Sequence, residues 1–319
     1  FCIACFIRDT VGALGMHRAA PVQYIRPEVI GLILGAYVLS MIRGEHQSKG
    51  GSSPIIRFIL GFFVMIGALM FLGCPLRMIL RLGGGDLNAL FGIAGFAGGV
   101  GIGTIFLKRG YSLQRTYALS KLESAIMPAI QVGLLVLVVT APAFIFFSQK
   151  GPGAMHAPWL ISLAAGLVVG GLSQYSRLCT VGGFRDLFLF KKSVLIFGYI
   201  AVLVGVFAVN ISFGNFHLGF ENQPVSHTDG LWNFLGMALA GFCSVLLGGC
   251  PLRQLIMTGE GNSDSAVTVL GLAAGAAFAH NFGLAASGAG PTLNGQIAVG
   301  IGFVVALIIA VLNTKRSNA

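Results

Sequence analysis

Long apolar stretches separated by short polar connections make up most of this sequence. An apolar run at 1–7 is followed by nine further stretches, at 28–42, 55–73, 87–107, 124–147, 158–175, 193–213, 231–249, 265–283 and 296–313. Most of them approach the roughly 20 residues that a helix needs to cross the hydrocarbon core of a bilayer. No connection is long enough to hold a soluble domain. The pattern predicts an all-α integral membrane protein.

The composition supports this class and removes one alternative. Hydrophobic residues make up 55% of the chain and charged residues only 9%, whereas soluble domains carry about 25% charged residues. A chain so poor in charge is expected to have the lipid bilayer as its solvent. The net charge of +10 lies in the connections, where membrane topology explains it, so no nucleic acid is predicted as a partner. The run at 1–7 lacks the flanks of a signal peptide and is interpreted as part of a membrane segment.

The positions of the basic residues predict an orientation. We assume that all ten stretches cross once and that the C-terminus, with Lys315 and Arg316, is cytoplasmic. The basic connections that then lie in the cytoplasm are 43–57, 108–121 and 177–192. The connections that lie outside include 8–26, 74–86, 214–230 and 284–295. The last two contain no Lys or Arg, as the positive-inside rule requires. The first two do contain arginines, which predicts a role other than topology for them.

Two cysteine motifs recur in the same order along the chain. Cys-x5-Arg-Asp begins at Cys2 and again at Cys179, and Gly-Cys-Pro-Leu-Arg is centred on Cys74 and on Cys250. Each half holds five apolar stretches, an odd number, so the second half is expected to be inverted in the membrane. Inverted repeats bring their broken and short helices together at a central constriction near the middle of the bilayer. The predicted repeats are 1–155 and 156–319.

The proline of the second motif predicts a break in the helix. Proline is favoured at the first position of a helix and is costly inside one. The apolar run before Cys74 should therefore end there and a short helix begin at Pro75, with the same break at Cys250. Each cysteine then lies at a helix N-terminus, where free backbone N–H groups and the helix dipole favour an anion. Arg77 and Arg253 add positive charge, and both are predicted to bind substrate.

The Cys-x5-Arg-Asp motif carries an arginine and an aspartate beside a membrane segment. Charged residues in such places are costly and usually paired. Neighbouring residues point in different directions on a helix, so each is expected to pair elsewhere, in a structural ion pair. The four residues are Arg8, Asp9, Arg185 and Asp186. Gly182 and Gly183 could break the second copy, whereas 3–7 has no glycine, so the backbone of the first copy is expected to differ.

Four of the six cysteines are predicted to contact a substrate. They lie at expected helix breaks in equivalent positions of the two repeats, and packing alone does not predict a cysteine at all four. They are Cys2, Cys74, Cys179 and Cys250. Protonated thiols are weak, polarisable donors that suit the several weak sites that permeation needs. Cys243 is expected only to pack, and the role of Cys5 stays open. The histidines show no metal-ligand spacing, and no signature of a haem, flavin or nucleotide occurs, so neither a metal nor a cofactor is predicted.

These motifs resemble the YeeE/YedE family of membrane proteins over essentially the whole chain. The stretch from Phe1 to Asp9 is most similar to the YedE-like branch associated with selenium metabolism. The resemblance implies an hourglass-shaped bacterial inner-membrane protein with short helices at a central constriction. It also implies uptake of thiosulfate or a related compound by way of cysteine thiols, and a small sulfur-carrier protein of the TusA type as a partner of some members.

The sequence therefore predicts a transporter or channel-like permease, not an enzyme, for a small inorganic sulfur- or selenium-containing anion. The alternative is a membrane thiol redox or sulfur-transfer enzyme that uses Cys2 and Cys5 as its active pair. Stable disulfide or persulfide on those two residues, with no anion crossing a membrane, would favour the alternative.

Overall fold

The computed structural model describes residues 1–314, so Lys315 and Arg316, on which the predicted orientation partly rests, lie outside the described residues. Within residues 1–314 the regular secondary structure is almost entirely α-helical. The helices are α1 (Ile3–Ala13), α2 (Pro27–Ile42), α3 (Pro54–Met70), α4 (Pro75–Gly83), α5 (Asn88–Lys108), α6 (Lys121–Thr140), α7 (Trp159–Ser176), α8 (Thr180–Phe190), α9 (Val194–Ser212), α10 (Gly230–Leu247), α11 (Pro251–Gly259), α12 (Ser263–Asn281) and α13 (Leu293–Leu312). A two-stranded antiparallel pair, β1 (Lys49–Gly50) with β2 (Tyr117–Ala118), joins two connections on one face.

Eight segments of the described chain are long and apolar enough to cross a membrane, which confirms an all-α, multi-pass membrane protein. Three of these segments each consist of two helices with a short break between them: α3 and α4, α7 and α8, and α10 and α11. The first apolar run and α12 are not among these eight segments. The assumption of ten simple crossings is therefore wrong: the run at 1–7 belongs to α1, an 11-residue helix.

The predicted helix ends agree with the structure within a few residues, with one clear exception. The stretch predicted at 124–147 is helical only as far as Thr140. Ala141 adopts a left-handed backbone with φ of 40° and precedes Pro142, and a residue before proline is disfavoured in helical geometry. The apolar residues after Pro142 instead pack against the C-terminal end of α1, where the N–H of Phe146 donates to the carbonyl of Ala13 at 2.9 Å.

The core of the protein is built from closely packed pairs of long helices. α10 packs along α5 and against α3, α12 packs along α3, and α7 packs along α2. The four short helices lie against this frame: α4 contacts α5 and α9, α11 contacts α2 and α12, α1 contacts α12, and α8 contacts α5. The long helices thus position the N-termini of the short helices in the interior of the protein.

Glycine allows the close approach of α5 and α10. A Cβ atom at Gly99 would overlap the carbonyl oxygen of Ala238 on α10, and a Cβ atom at Gly95 would overlap that of Phe234. Small residues at such crossings let membrane helices pack backbone to backbone. Gly98, on the same helix, has only the ring of Phe234 nearby, at 3.9 Å from the corresponding Cβ position.

This difference predicts the effect of two matched substitutions. Gly99→Ala is expected to destabilise the protein by about 1–3 kcal/mol, because the new methyl group overpacks the helix pair. Gly98→Ala is the control and should leave the thermal unfolding temperature in detergent unchanged or slightly higher, since alanine favours helix over glycine. Equal unfolding temperatures for the two variants would contradict the close approach at Gly99.

Candidate functional site

Both Gly-Cys-Pro-Leu-Arg motifs form the predicted break between two helices. α3 ends at Met70 and α4 begins at Pro75, with Cys74 as the extended N-cap residue between them. α10 ends at Leu247 and α11 begins directly after its N-cap residue Cys250. Both short helices are nine residues long. The sequence prediction is confirmed at both places, since proline lacks the N–H that would continue the preceding helix.

The backbone turns at these breaks through a left-handed residue. At the second break this residue is Gly248, with φ of 83°, whereas at the first break it is Leu72, with φ of 61°. Glycine adopts this conformation at little cost, but leucine does not. Leu72 is held by the surrounding core, in which its side chain is buried.

The Cys-x5-Arg-Asp motifs form two further helix N-termini. Cys2 is the N-cap residue of α1, and its Sγ accepts a hydrogen bond from the N–H of Cys5 at 3.3 Å. Cys179 is the N-cap residue of α8, and its Sγ accepts from the N–H of Gly182, also at 3.3 Å. The φ and ψ angles are −151° and 110° at Cys2 and −153° and 117° at Cys179. The expectation that the two backbones differ is wrong, because an N-cap bond to sulfur sets both conformations without a glycine.

The N-termini of α1 and α4 meet at three thiols, which we call the first thiol cluster (Cys2, Cys5 and Cys74). The N–H of Ile3, the first residue of α1, donates to Sγ of Cys74 at 3.3 Å. Cys2, which precedes Ile3, therefore lies beside Cys74, and its Sγ also accepts from the N–H of Cys5. All three side chains are buried and none forms a disulfide. Cys2 and Cys74 are thus the N-cap residues of two helices whose N-termini meet here, and the N–H groups that donate to their sulfur atoms belong to α1.

The N-termini of α8 and α11 meet in the same way at the second thiol cluster (Cys179 and Cys250). Oγ1 of Thr180, the residue that follows Cys179, lies 3.9 Å from Sγ of Cys250. Both cysteines are buried. The position that corresponds to Cys5 is Gly182, so this cluster has two thiols where the first has three. Cys243 lies within α10, fully buried and away from either helix break.

Tyr199 is the residue near the thiols that the sequence analysis missed. It lies on α9 and is buried near Thr180, the residue that follows Cys179. Beside it is a small apolar cavity of about 150 Å³, lined by Ile79 of α4 and Thr180 of α8. No spacing in the sequence links Tyr199 to a cysteine, because α9 approaches the breaks only through its packing on α4 and α8.

The arginine and aspartate of each Cys-x5-Arg-Asp motif pair with one another. Nε and Nη2 of Arg8 lie 2.8 and 2.7 Å from Oδ1 of Asp9, and Arg185 lies 2.8 Å from Asp186. The expectation that each would pair elsewhere is wrong for Arg8, Arg185 and Asp186, because the long arginine side chain folds back onto its neighbour. Asp9 does pair elsewhere as well: Arg26 donates to Oδ2 from Nε and Nη2 at 2.8 and 2.6 Å.

Arg77 lies between two cavities beside the first thiol cluster. The larger, about 460 Å³, is polar and is also lined by Asn210, Asn215 and Gln223. The smaller, about 210 Å³, is also lined by Cys2. Nη2 of Arg77 lies 3.4 Å from the carbonyl of Pro224, and its buried Nε has no hydrogen-bond partner within residues 1–314. A cation with spare donors thus stands between an open cavity and a thiol cluster.

Arg253, the corresponding residue at the second thiol cluster, has a different environment. Its Nη1 and Nη2 donate to Oε1 and Oε2 of Glu260 at 2.9 and 3.1 Å. Glu260 also accepts from Nη1 of Arg177 at 2.9 Å, and Arg177 in turn pairs with Glu45 at 2.7 Å. In the part of the chain that the structure describes, no group of three or more His, Cys, Asp or Glu residues is placed to hold a metal ion.

Comparison with known proteins points to sulfur transport. Residues 175–314, which include Cys179 and Cys250, match the sequence model of a family described as Sulphur transport. The second half of this chain is similar to sulphur-transport proteins. The chain is also 27% identical over 115 residues to the thiosulfate transporter TsuA of Escherichia coli (strain K12). That similarity covers 34% of this chain and 30% of TsuA, so the chain matches about a third of its relative's length.

Proposed function

We propose that this protein is a channel-like permease that conducts a small sulfur- or selenium-containing anion, such as thiosulfate, past its two thiol clusters. The observation that carries the proposal is the convergence of four helix N-termini on buried cysteine thiols. Helix N-termini attract anions through their free N–H groups and their dipoles. Thiols are soft and polarisable, so they suit the sulfur or selenium atom of such an anion.

The path that we propose starts at Arg77. Its uncompensated charge would draw an anion from the 460 Å³ cavity towards Cys2 and Cys74. The anion would then pass Tyr199 and reach Cys179 and Cys250 beside Arg253. Each contact along this path is weak, as rapid conduction requires, since a strongly binding site would retain the ion.

The proposed arrangement is a pair of inverted repeats, 1–155 and 156–319, in a bacterial inner membrane. α1, α4 and the long helices that precede α4 and follow it would correspond to α8, α11 and their neighbours. A TusA-type sulfur carrier at the cytoplasmic face remains an expectation from the family resemblance.

Uptake into proteoliposomes tests this function. We expect radiolabelled thiosulfate to accumulate in vesicles that contain the purified protein, and sulfate, which lacks a soft sulfur atom, to be excluded. Selenite and sulfite complete the panel and define the substrate class. Uptake no faster than in empty liposomes for every anion of the panel would contradict the proposal.

One observation supports a second candidate function, that of a thiol redox or sulfur-transfer enzyme. The N–H of Cys5 donates to Sγ of Cys2 at 3.3 Å, and both residues line the 210 Å³ cavity, so a small molecule in that cavity would meet both of them. If no anion crosses the vesicle membrane, mass spectrometry of protein incubated with thiosulfate should find persulfide or disulfide on these two residues. If anions do cross and both cysteines remain free thiols, this candidate is excluded.

A further inference from the structure

The two motif arginines, although equivalent in sequence, differ in charge compensation. Arg77 has a buried Nε without a hydrogen-bond partner among the described residues. Both terminal nitrogens of Arg253 are held by the carboxylate of Glu260 at 2.9 and 3.1 Å. Arginine binds a planar or tetrahedral anion with the same fork of donors that it uses for a carboxylate. Glu260 therefore occupies the position on Arg253 that a substrate anion would take.

The position of Glu260 in the fold supports this role. Glu260 is the C-cap residue of α11, seven positions after Arg253 on the same short helix. Its side chain and that of Arg253 are each only 13% exposed, so their attraction is less screened than that of a surface pair. The residue at the same distance from the first cysteine motif is Gly84, which has no side chain and lines the 460 Å³ cavity beside Arg77. Arg253 thus has a carboxylate bonded to it, whereas the carboxylate that lines the cavity beside Arg77, that of Asp86, is held by Arg81 at 2.7 Å.

We propose that Glu260 is a tethered competitor for the substrate anion at Arg253, an inference that rests on the proposed function. Glu260 prevents Arg253 from retaining an anion that arrives at the second thiol cluster, whereas Arg77, which has no such competitor, captures anions at the first. Arg177 supplies a second cation for Glu260, at 2.9 Å, so the carboxylate keeps a partner when it leaves Arg253. The two ends of the path thereby differ in anion affinity, with capture at one and release at the other.

Calorimetry of thiosulfate binding to the purified protein in detergent tests this inference. The measurements start from the Arg77→Gln variant, in which the proposed capture residue is removed. Arg77→Gln should weaken binding strongly, because the remaining motif arginine is already occupied. Adding Glu260→Gln should restore binding by roughly tenfold or more, the effect of one strong charge-assisted interaction. The triple variant that also carries Arg253→Gln should lose the restored binding.

Glu45→Gln in the Arg77→Gln background is the matched control. It removes the same charge from the same network of ion pairs, but Glu45 contacts Arg177 and not Arg253. We expect it to leave thiosulfate binding unchanged. Glu260→Gln in the otherwise native chain should also slow uptake into proteoliposomes while tightening binding, because release from Arg253 becomes slower.

Failure of the inference about Glu260 and failure of the proposed function give different results. If Glu260→Gln lowers the unfolding temperature and does not tighten thiosulfate binding, the ion pair is only structural and the inference is overturned. The same holds if Glu45→Gln restores binding as well as Glu260→Gln does. If the native protein neither binds nor transports any anion of the panel, the proposed function itself fails, and this result is distinct from a native protein that transports thiosulfate but does not respond to Glu260→Gln.

Discussion

Replacing Cys74 by alanine is expected to abolish thiosulfate uptake into proteoliposomes while the protein still folds. The Sγ of Cys74, the N-cap residue of α4, accepts a hydrogen bond from the N–H of Ile3 in α1 at 3.3 Å, so its loss removes the sulfur at which two helix N-termini meet. The cost in stability should be about 1 kcal/mol, which is typical of a single substitution. Cys250→Ala should have the same effect at the second thiol cluster. Uptake is measured as radiolabelled thiosulfate retained per unit of reconstituted protein.

Cys243→Ala is the matched control for these variants. Cys243 is as deeply buried as Cys74, but it lies within α10 and away from the helix breaks, so uptake should remain at the native rate. Cys74→Ser separates two properties of the thiol, because serine keeps a hydrogen-bond donor but lacks a polarisable sulfur atom. Full uptake by both Cys74→Ala and Cys250→Ala would rule out conduction past thiols.

Replacing Asp9 by asparagine is expected to cause the largest loss of stability. The side chain of Asp9 is fully buried, and its two oxygens accept four hydrogen bonds from Arg8 and Arg26 at 2.6–2.8 Å. Removing the negative charge leaves two buried arginines without compensation, which costs about 3–5 kcal/mol. A loss of that size is a large part of the total stability of a typical protein.

Thermal unfolding in detergent, followed by the fraction of protein that stays monodisperse, measures this effect. Asp186→Asn is the matched control, since Asp186 is the corresponding residue of the second motif but is 26% exposed and bonded to one arginine. We expect it to cost no more than about 1 kcal/mol, as exposed ion pairs do. Similar unfolding temperatures for the two variants would show that the buried ion pairs of Asp9 do not contribute more stability than the exposed pair of Asp186.

The sequence by itself determined the local architecture. The apolar stretches predicted the long helices, because a segment in lipid must satisfy its backbone groups internally and does so as a helix. Pro75 and Pro251 predicted where two helices break, because the effect of proline on the backbone depends only on the residues beside it. The placement of Cys74 and Cys250 at helix N-termini follows directly, since each precedes a proline.

Only the tertiary structure decided which residues meet. Three features depend on how helices pack over long sequence separations: the contact of Cys74 with the first residue of α1, the second arginine of Asp9, and the position of Tyr199 beside Thr180. The difference between Arg77 and Arg253 is of this kind too: the motifs are identical, and only the neighbouring carboxylate of Glu260 neutralises one of them. A local pattern fixes the conformation of a few residues, whereas the charge and shape around a side chain are set by every helix that packs against it.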